Sequence, residues 1–133
     1  MINKVWLNQY THNVPATIDP DQFTSLVHLF EKYSNDFATR PAFVNFGTTL
    51  SYRQLQQHAL HFAAFLQNTL RLKKGARFAI MMPNILQYPV AIFGALKAGL
   101  IVVNVNPLYT APEIIHQFKP HDFGRSNGNI GIS

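Results

Sequence analysis

The pattern of apolar and polar residues predicts a strand–helix–strand unit over residues 73–110. A short apolar run at 77–82 follows a Lys-Lys-Gly turn and stops at a proline, which is typical of a buried strand. Asn84 has a side chain suited to cap the helix that follows, and Gly99 stands where helices usually end. Residues 100–105 are rich in β-branched side chains and predict a second strand. Two strands joined through a helix are normally parallel, so the unit favours an α/β fold.

The predicted helix of this unit carries a stripe of small residues, Ala91, Gly94, Ala95 and Ala98. We expect this stripe to lie close against the sheet. Pro89 removes one helical hydrogen bond, so the first turn is distorted or the helix begins late. The apolar segment 85–103 has the length of a membrane span, but polar residues, a proline and a glycine interrupt it. A buried helix followed by a strand is therefore the favoured interpretation.

Two helices and a hairpin are predicted before this unit. Thr24 or Ser25 caps a first helix, whose buried face repeats at helical spacing through Leu26, Leu29, Phe30, Tyr33 and Phe37. Residues 42–50, divided by Gly47, predict a small β-hairpin. Ser51 begins a second helix, and Gln54 completes a capping box with it. The buried face of this second helix is predicted to carry Leu55, Ala59, Phe62, Leu66 and Leu70.

The rest of the chain is predicted to contain one more short helix and two irregular ends. Thr110 and Glu113 form a second capping box that opens a helix over 111–118. Residues 1–22 are predicted to form an arm that docks onto the body of the protein or onto a partner, with contact to a membrane as an alternative. Its large apolar residues are Val5, Trp6, Leu7 and Tyr10. The segment 119–133 is rich in glycine and asparagine and predicts an irregular tail.

Composition and charge restrict the class of protein. Of the 133 residues 47% are hydrophobic and only 13% are charged, which is typical of a fold whose strands are covered on both faces. So few charged residues also indicate that part of the surface is covered by something else. The net charge is +5, and the basic residues form one cluster, at Arg71, Lys73, Lys74 and Arg77. A helix C-terminus, which attracts cations, followed by a solvated turn explains this cluster. No basic stripe interleaved with aromatics accompanies it, so no nucleic-acid partner is predicted. The absence of cysteine excludes disulfides and is compatible with the cytoplasm, and the N-terminus lacks the pattern of a secretory signal.

The motifs of common active sites are not found. The glycines at 94 and 99 have the spacing of a phosphate loop, but they lie in a helix and no Lys-Ser or Lys-Thr follows. His58 and His61 could face one ion, yet two solvated helix histidines are the favoured interpretation because no third ligand is near. Ser25 and Ser51 are explained as helix caps. The six acids show no paired spacing: Asp19, Asp21, Glu31, Asp36, Glu113 and Asp122. No catalytic, cofactor-binding or metal-binding residue is predicted.

Several motifs nevertheless resemble those of one enzyme family. They are KVWL at 4–7, RPAFVN at 40–45, LKKG at 72–75, MMPN at 81–84, LQYPVA at 86–91 and IVVNVNPLYT at 101–110. Over residues 2–118 the chain resembles the N-terminal end of bacterial long-chain fatty-acid–CoA ligases, which belong to the adenylate-forming superfamily. The resemblance implies part of a doubly wound sheet in a parent enzyme several times longer. From Lys119 the sequence departs from the family pattern, as expected for a truncation or a shifted reading frame.

The resemblance also implies the chemistry of the parent enzyme. Such ligases join a fatty acid to the α-phosphate of ATP with Mg²⁺, release pyrophosphate, and pass the acyl group to coenzyme A. Their phosphate loop, Tyr-Gly-x-Thr-Glu segment, ribose-binding Asp and mobile-domain Lys have no counterpart in this sequence. The chain is therefore predicted to be a cytoplasmic, catalytically inactive N-terminal part. The alternatives are an interaction module that pairs through an exposed sheet edge, including a homodimer, and a domain that contacts the inner membrane peripherally.

Overall fold

The computed structural model describes residues 4–118, which form an α/β arrangement of four α-helices and two small sheets. A 3₁₀-helix at Val5–Gln9 precedes these elements. The helices are α1 at Leu26–Asp36, α2 at Tyr52–Ala64, α3 at Gln87–Lys97 and α4 at Ala111–Gln117. The strands are β1 at Pro41–Asn45, β2 at Thr48–Ser51, β3 at Arg77–Ile80 and β4 at Ile101–Asn104. The tail predicted at 119–133 lies outside the described residues.

The central strand–helix–strand unit has the predicted parallel pairing. β3 and β4 align so that Phe78 lies opposite Val102 and Ala79 opposite Val103. Two backbone bonds of 2.9 Å flank the ladder, from the Ile101 amide to the Ala76 carbonyl and from the Val105 amide to the Ile80 carbonyl. The expectation of two parallel strands joined through a helix is confirmed.

Helix α3 begins three residues later than the cap predicted at Asn84. Its first residue is Gln87, and no side chain caps it. Pro89 is therefore the third helical residue, where the amide it lacks would have had no partner inside the helix. The late start predicted from Pro89 is confirmed, and the cap at Asn84 is wrong. The carbonyl of Asn84 instead accepts a hydrogen bond from the Asn45 side chain at 3.2 Å.

The C-terminus of α3 is closed by Gly99 as predicted. Its φ of +79° is the left-handed conformation that favours glycine at this position. The Gly99 amide donates to the Leu96 carbonyl and the Leu100 amide to the Ala95 carbonyl, each at 3.0 Å. This pair of bonds is the Schellman arrangement, which satisfies carbonyls at the helix end.

Helices α2 and α3 pack closely at Gly94. A Cβ added to Gly94 would lie 2.8 Å from Cδ1 of Phe62 and 3.0 Å from the backbone oxygen of Ala59, both on α2. The small-residue stripe thus serves a helix–helix contact at Gly94, and the expectation that all of it faces the sheet is wrong there. Ala91 and Ala95 do join the buried cluster that covers β3.

Helix α1 and the hairpin complete the second half of the core. The Phe30 ring of α1 stacks on the Phe93 ring of α3 at 4.0 Å between centroids. Lys97 of α3 also forms an ion pair with Glu31 of α1. The second buried cluster consists of Phe30, Leu50, Leu55 and Ala59. α3 therefore touches both halves of the core.

The caps of the first two helices follow the sequence prediction. Of the two candidates for α1, Ser25 is the cap, because its hydroxyl accepts a hydrogen bond from the His28 amide at 3.1 Å. Ser51 and Gln54 form the predicted capping box of α2. The hairpin turns at Phe46 and Gly47, whose φ values of +46° and +77° match a two-residue turn of type I′.

Two predictions of buried apolar residues, at Leu26 and Leu70, are wrong. α2 continues into a π-helical turn at Phe65–Thr69, which shifts the buried face, so Leu66 is fully buried but Leu70 is 40% exposed. Leu26, in the first turn of α1, is also exposed. In the N-terminal arm Val5, Trp6 and Tyr10 are exposed and Leu7 is half-buried, so docking of this arm onto the body or onto a partner stays a prediction.

We expect Gly94→Ala to lower the free energy of unfolding by about 1–3 kcal/mol, because the new methyl group would be forced against α2. Urea unfolding monitored by circular dichroism measures this change. Helix propensity alone predicts the opposite sign, since alanine stabilises a helix by about 1 kcal/mol relative to glycine. An unchanged or increased stability would therefore contradict the close contact.

Candidate functional site

An apolar cleft of about 160 Å³ lies between α2, β3 and the start of α3. Phe62 of α2 forms one wall, and its ring lies 6.1 Å from the Phe78 ring of β3. The complete lining is Phe62, Phe78, Ala79, Ile80, Met82, Gln87, Val90 and Ala91. Three of these are consecutive residues of β3, so the cleft follows the strand itself.

The lining of the cleft carries no ionisable side chain. Gln87 supplies its single polar side chain, and Phe62, Met82 and Val90 supply bulky apolar surface. Groups of this kind bind apolar chains and exclude water, but they offer no acid, base or nucleophile. The cleft is therefore suited to binding and packing.

The carboxyl ends of β3 and β4 are the usual position of a ligand site in an open α/β sheet. Here the polar side chains hold the local backbone. The Asn106 side chain accepts a hydrogen bond from the Leu108 amide at 3.0 Å, and the Gln117 side chain donates to the Asn104 carbonyl at 3.1 Å. These groups order the turn after β4 and the start of α4.

The capping box of α4 is present as predicted. The Glu113 carboxylate accepts hydrogen bonds from the hydroxyl and the amide of Thr110, each at 2.7 Å. These two bonds, the one from the hydroxyl first, lower the pKa of the Glu113 carboxyl below its ordinary value of 4.5. Glu113 therefore fixes the backbone at the N-terminus of α4.

The structure does not bring the candidate histidines and serines into a reactive cluster. His58 and His61 are both exposed on α2. Among residues 4–118, no group of three histidines, cysteines or acids could hold a metal ion. Ser25 and Ser51 are engaged as helix caps.

Three further acids of the described chain have partners nearby, namely Asp19, Glu31 and Asp36. Glu31 pairs with Lys97, and Asp36 pairs with Lys32 at 2.6 Å, a bond that raises the pKa of Lys32. Asp19 accepts a hydrogen bond from the Asp21 amide. Asp122 lies outside the described residues.

The basic cluster and the two glycines have structural positions. Arg71 lies in the left-handed region with φ of +52°, just after α2 and its π-helical turn. The side chain of Lys74 packs beside Gly99, whose added Cβ would be 3.0 Å from Lys74 Cγ. Gly94 and Gly99 lie within α3 and at its end, so they do not form a phosphate loop.

None of the helices in the described range has the length and apolar character needed to traverse a bilayer.

Comparison with known proteins identifies the family. The sequence profile of the AMP-binding enzymes matches residues 30–122. The chain belongs to the AMP-binding enzyme family. It is 58% identical over 118 residues to the long-chain-fatty-acid–CoA ligase of Salmonella typhimurium, an alignment that covers 89% of this chain and 21% of that ligase. The Bacillus subtilis long-chain-fatty-acid–CoA ligase is 35% identical over 87% of this chain and 20% of its own length. The chain thus spans about a fifth of these relatives.

Solved structures of the family share the fold. The N-terminal subdomain of Klebsiella oxytoca NpsA superimposes with a TM-score of 0.66 at 26% identity, over 69% of this chain and 24% of that one. A benzoate CoA ligase from Burkholderia xenovorans LB400 has a TM-score of 0.66 at 25% identity, over 71% of this chain and 19% of its own. The predicted resemblance to adenylate-forming ligases and the predicted α/β class are confirmed.

The sequence prediction missed the cleft. Phe62 and Ala79 are 17 positions apart and carry no motif, so their proximity follows only from the way α2 crosses β3. The sequence gives only an indirect indication of this space. Two predicted strands make a poor independent sheet, so part of that sheet is expected to remain unpaired.

We expect the Glu113 capping box of α4 to weaken as the pH falls. Because the folded-state pKa lies below the ordinary value of 4.5, the ionised carboxylate stabilises the helix above that pH, and this contribution is lost as the pH falls from 4.5 through the lower folded value. Titration followed by NMR of the Thr110 amide measures the midpoint. Glu113→Gln is the matched control, because glutamine can cap without titrating. A midpoint at or above 4.5 would contradict the proposed bonding.

Proposed function

We propose that the chain is the N-terminal part of a long-chain fatty-acid–CoA ligase and that it has no ligase activity by itself. The observation that carries the proposal is 58% identity across 89% of this chain with a ligase of which the chain spans only 21%. The whole enzyme would join a fatty acid to ATP in the presence of Mg²⁺ and then transfer the acyl group to coenzyme A. In this proposal residues 23–118 belong to the N-terminal subdomain, with an arm at 1–22 and a divergent tail at 119–133.

The described side chains support a structural role in such an enzyme. The polar groups at the carboxyl ends of the strands are engaged in local hydrogen bonds, at Asn106, Thr110 and Gln117. The walls of the cleft between α2, α3 and β3 are apolar. Both features support a structural role for this part, with ATP bound by residues on other segments of the enzyme. A cytoplasmic location, with peripheral contact to the inner membrane as its variant, belongs to the same proposal.

Two measurements in one assay test this function. The purified chain is expected to give only background ATP–pyrophosphate exchange with palmitate and Mg²⁺. A chimera in which residues 4–118 replace the matching segment of the Salmonella typhimurium ligase is expected to form palmitoyl-CoA at a rate within about tenfold of that ligase, which corresponds to a loss of less than about 1.4 kcal/mol in transition-state stabilisation.

The unmodified Salmonella typhimurium ligase is the positive control for both measurements. Exchange above background by the chain alone would contradict its assignment as an inactive part. A chimera that is folded by circular dichroism but forms no palmitoyl-CoA would contradict the assignment to this ligase family branch.

A second candidate function is an interaction module that pairs with another copy of the chain. The observation that favours it is β4, which pairs only with β3 among residues 4–118 and exposes half of the Ile101 side chain. Trp6 adds a half-exposed aromatic ring on the arm. Light scattering at about 50 μM, well above a micromolar dissociation constant, is then expected to show a dimer. A monomer at that concentration would contradict this candidate.

A further inference from the structure

The π-helical turn at the end of α2 brings two apolar side chains to the surface. Phe65 opens this turn and is 45% exposed, and Leu70, directly after the turn, is 40% exposed. The Leu70 amide donates to the Phe65 carbonyl at 3.1 Å, so the two residues lie one π-helical turn apart on the same side. Leu66 between them is fully buried. The end of α2 is thus held in the core by Leu66 and presents Phe65 and Leu70 outward.

Three basic side chains follow on the loop that leads to β3. Leu72 anchors this loop, because it packs against the buried cluster and its amide donates to the Leu66 carbonyl at 3.0 Å. Arg71 and Lys73 on either side of Leu72, and Lys74 after them, are exposed. These exposed apolar and basic side chains form a surface that we call the basic-apolar patch: Phe65, Leu70, Arg71, Lys73 and Lys74.

No acidic residue offsets the charge of the patch. The sequence contains no aspartate or glutamate between Asp36 and Glu113. Both of these flanking acids are engaged elsewhere, Asp36 with Lys32 and Glu113 with Thr110. Within residues 4–118, none of the three cations of the patch forms an ion pair with an acid. The patch therefore combines three uncompensated positive charges with two half-exposed apolar side chains.

An anionic lipid surface is the partner that matches this combination. Its headgroups supply negative charge for the cations, and its acyl boundary accepts apolar side chains such as Phe65 and Leu70. A second copy of the chain would bring like charges together, which opposes self-association through the patch. A single-stranded nucleic acid would pair with the cations and stack on Phe65, but it leaves the aliphatic Leu70 without a partner.

The N-terminal arm matches such a surface less well, although it carries Trp6. Lys4 is the single lysine or arginine of residues 4–22, and the same segment contains Asp19 and Asp21. The side chains of this segment therefore carry a net negative charge, which an anionic bilayer repels. The apolar residues of the arm thus lack the electrostatic attraction that the patch provides.

We propose that the basic-apolar patch is the surface through which the chain contacts an anionic membrane. This proposal rests on the proposed function, whose peripheral membrane contact has no assigned surface. A helix end and a solvated turn explain the cations alone, whereas the outward positions of Phe65 and Leu70 add an apolar component to them. The patch precedes β3 and lies at its amino end. Contact there leaves the carboxyl ends of the strands, the usual position of a ligand site, accessible.

Sedimentation with lipid vesicles tests the electrostatic part of the proposal. The chain is expected to bind vesicles of equal parts phosphatidylglycerol and phosphatidylcholine, and to lose at least about tenfold in affinity between about 0.05 M and 0.5 M salt. Arg71→Asn combined with Lys73→Gln is expected to weaken binding about twentyfold, since each cation near the surface contributes about fivefold. Asparagine suits position 71 because its φ of +52° lies in the left-handed region.

The matched control for this pair is Lys4→Gln combined with Arg53→Gln. It removes the same charge from exposed positions outside the patch and is expected to leave vesicle affinity nearly unchanged. Equal weakening by both pairs would reduce the effect to net charge and overturn the proposal. Absence of binding by the folded chain, or equal binding to vesicles of phosphatidylcholine alone, would also overturn it.

A pair of leucine variants tests the apolar part. Leu70→Ser is expected to weaken binding to the anionic vesicles at least about threefold, because the leucine side chain no longer enters the lipid. Leu60→Ser is the matched control, since Leu60 is 55% exposed and lies ten residues earlier, about 15 Å along the helix. Equal effects of the two variants, with circular dichroism showing both folded, would overturn the proposal.

Two further readouts distinguish other partners and the other surface. Trp6 is the only tryptophan of the chain, so its emission reports the arm. A blue shift on adding vesicles that persists when Arg71 and Lys73 are both replaced would assign the contact to the arm and overturn the proposal. Tighter binding to single-stranded DNA than to the anionic vesicles would assign the patch to nucleic acid and also overturn it. Formation of palmitoyl-CoA by the chimera separately tests the proposed function, whereas vesicle binding is measured on the chain itself.

Discussion

The packing of α3 against α2 is the contact on which the described fold depends. At Gly94 the two helices approach so closely that even a methyl group would collide with the α2 backbone. This contact connects two buried clusters that would otherwise be separate. One contains Phe78 and Ile80 of the parallel sheet, and the other contains Phe30 and Leu50. The hairpin and the parallel strands share no backbone hydrogen bonds, so the helix pair positions one sheet relative to the other.

Features that depend on neighbouring residues were predictable from the sequence. Ser51 with Gln54 and Thr110 with Glu113 each form a capping box, because the partners are three residues apart and meet without help from the rest of the fold. Gly99 closes α3 for the same local reason. The parallel pairing of β3 and β4 followed from the handedness and length of a helical crossover, which allow few alternatives.

Features that depend on tertiary contacts were not predictable. Asn84 is a good capping residue by type, but a helix beginning directly after it would place Pro89 beyond the first four residues, where the missing amide costs a hydrogen bond. The helix begins at Gln87, and the Asn84 carbonyl accepts a hydrogen bond from Asn45, 39 positions away. Leu70 continues the apolar spacing of α2, yet a π-helical turn rotates it outward. No periodicity reveals such a turn, because it changes the spacing on which the prediction relies. The partner of Gly94 is likewise chosen by the crossing of two helices and not by the local sequence.

The chain combines a low fraction of charged residues with several exposed apolar side chains. Ile101 on β4, Leu108 in the following turn and Ile115 on α4 are all exposed. A sheet of this class is normally covered on both faces. One face of β3 is covered by α2 and α3, while Ala79 and Ile101 point to the other face.

The lining of the cleft differs from that of a typical small-ligand pocket. A pocket for a small ligand combines apolar walls with a few converging side-chain polar groups. Among the described residues that line this cleft, Gln87 supplies the single polar side chain. The cleft residues of the described chain therefore offer apolar binding surface and supply no acid, base or nucleophile.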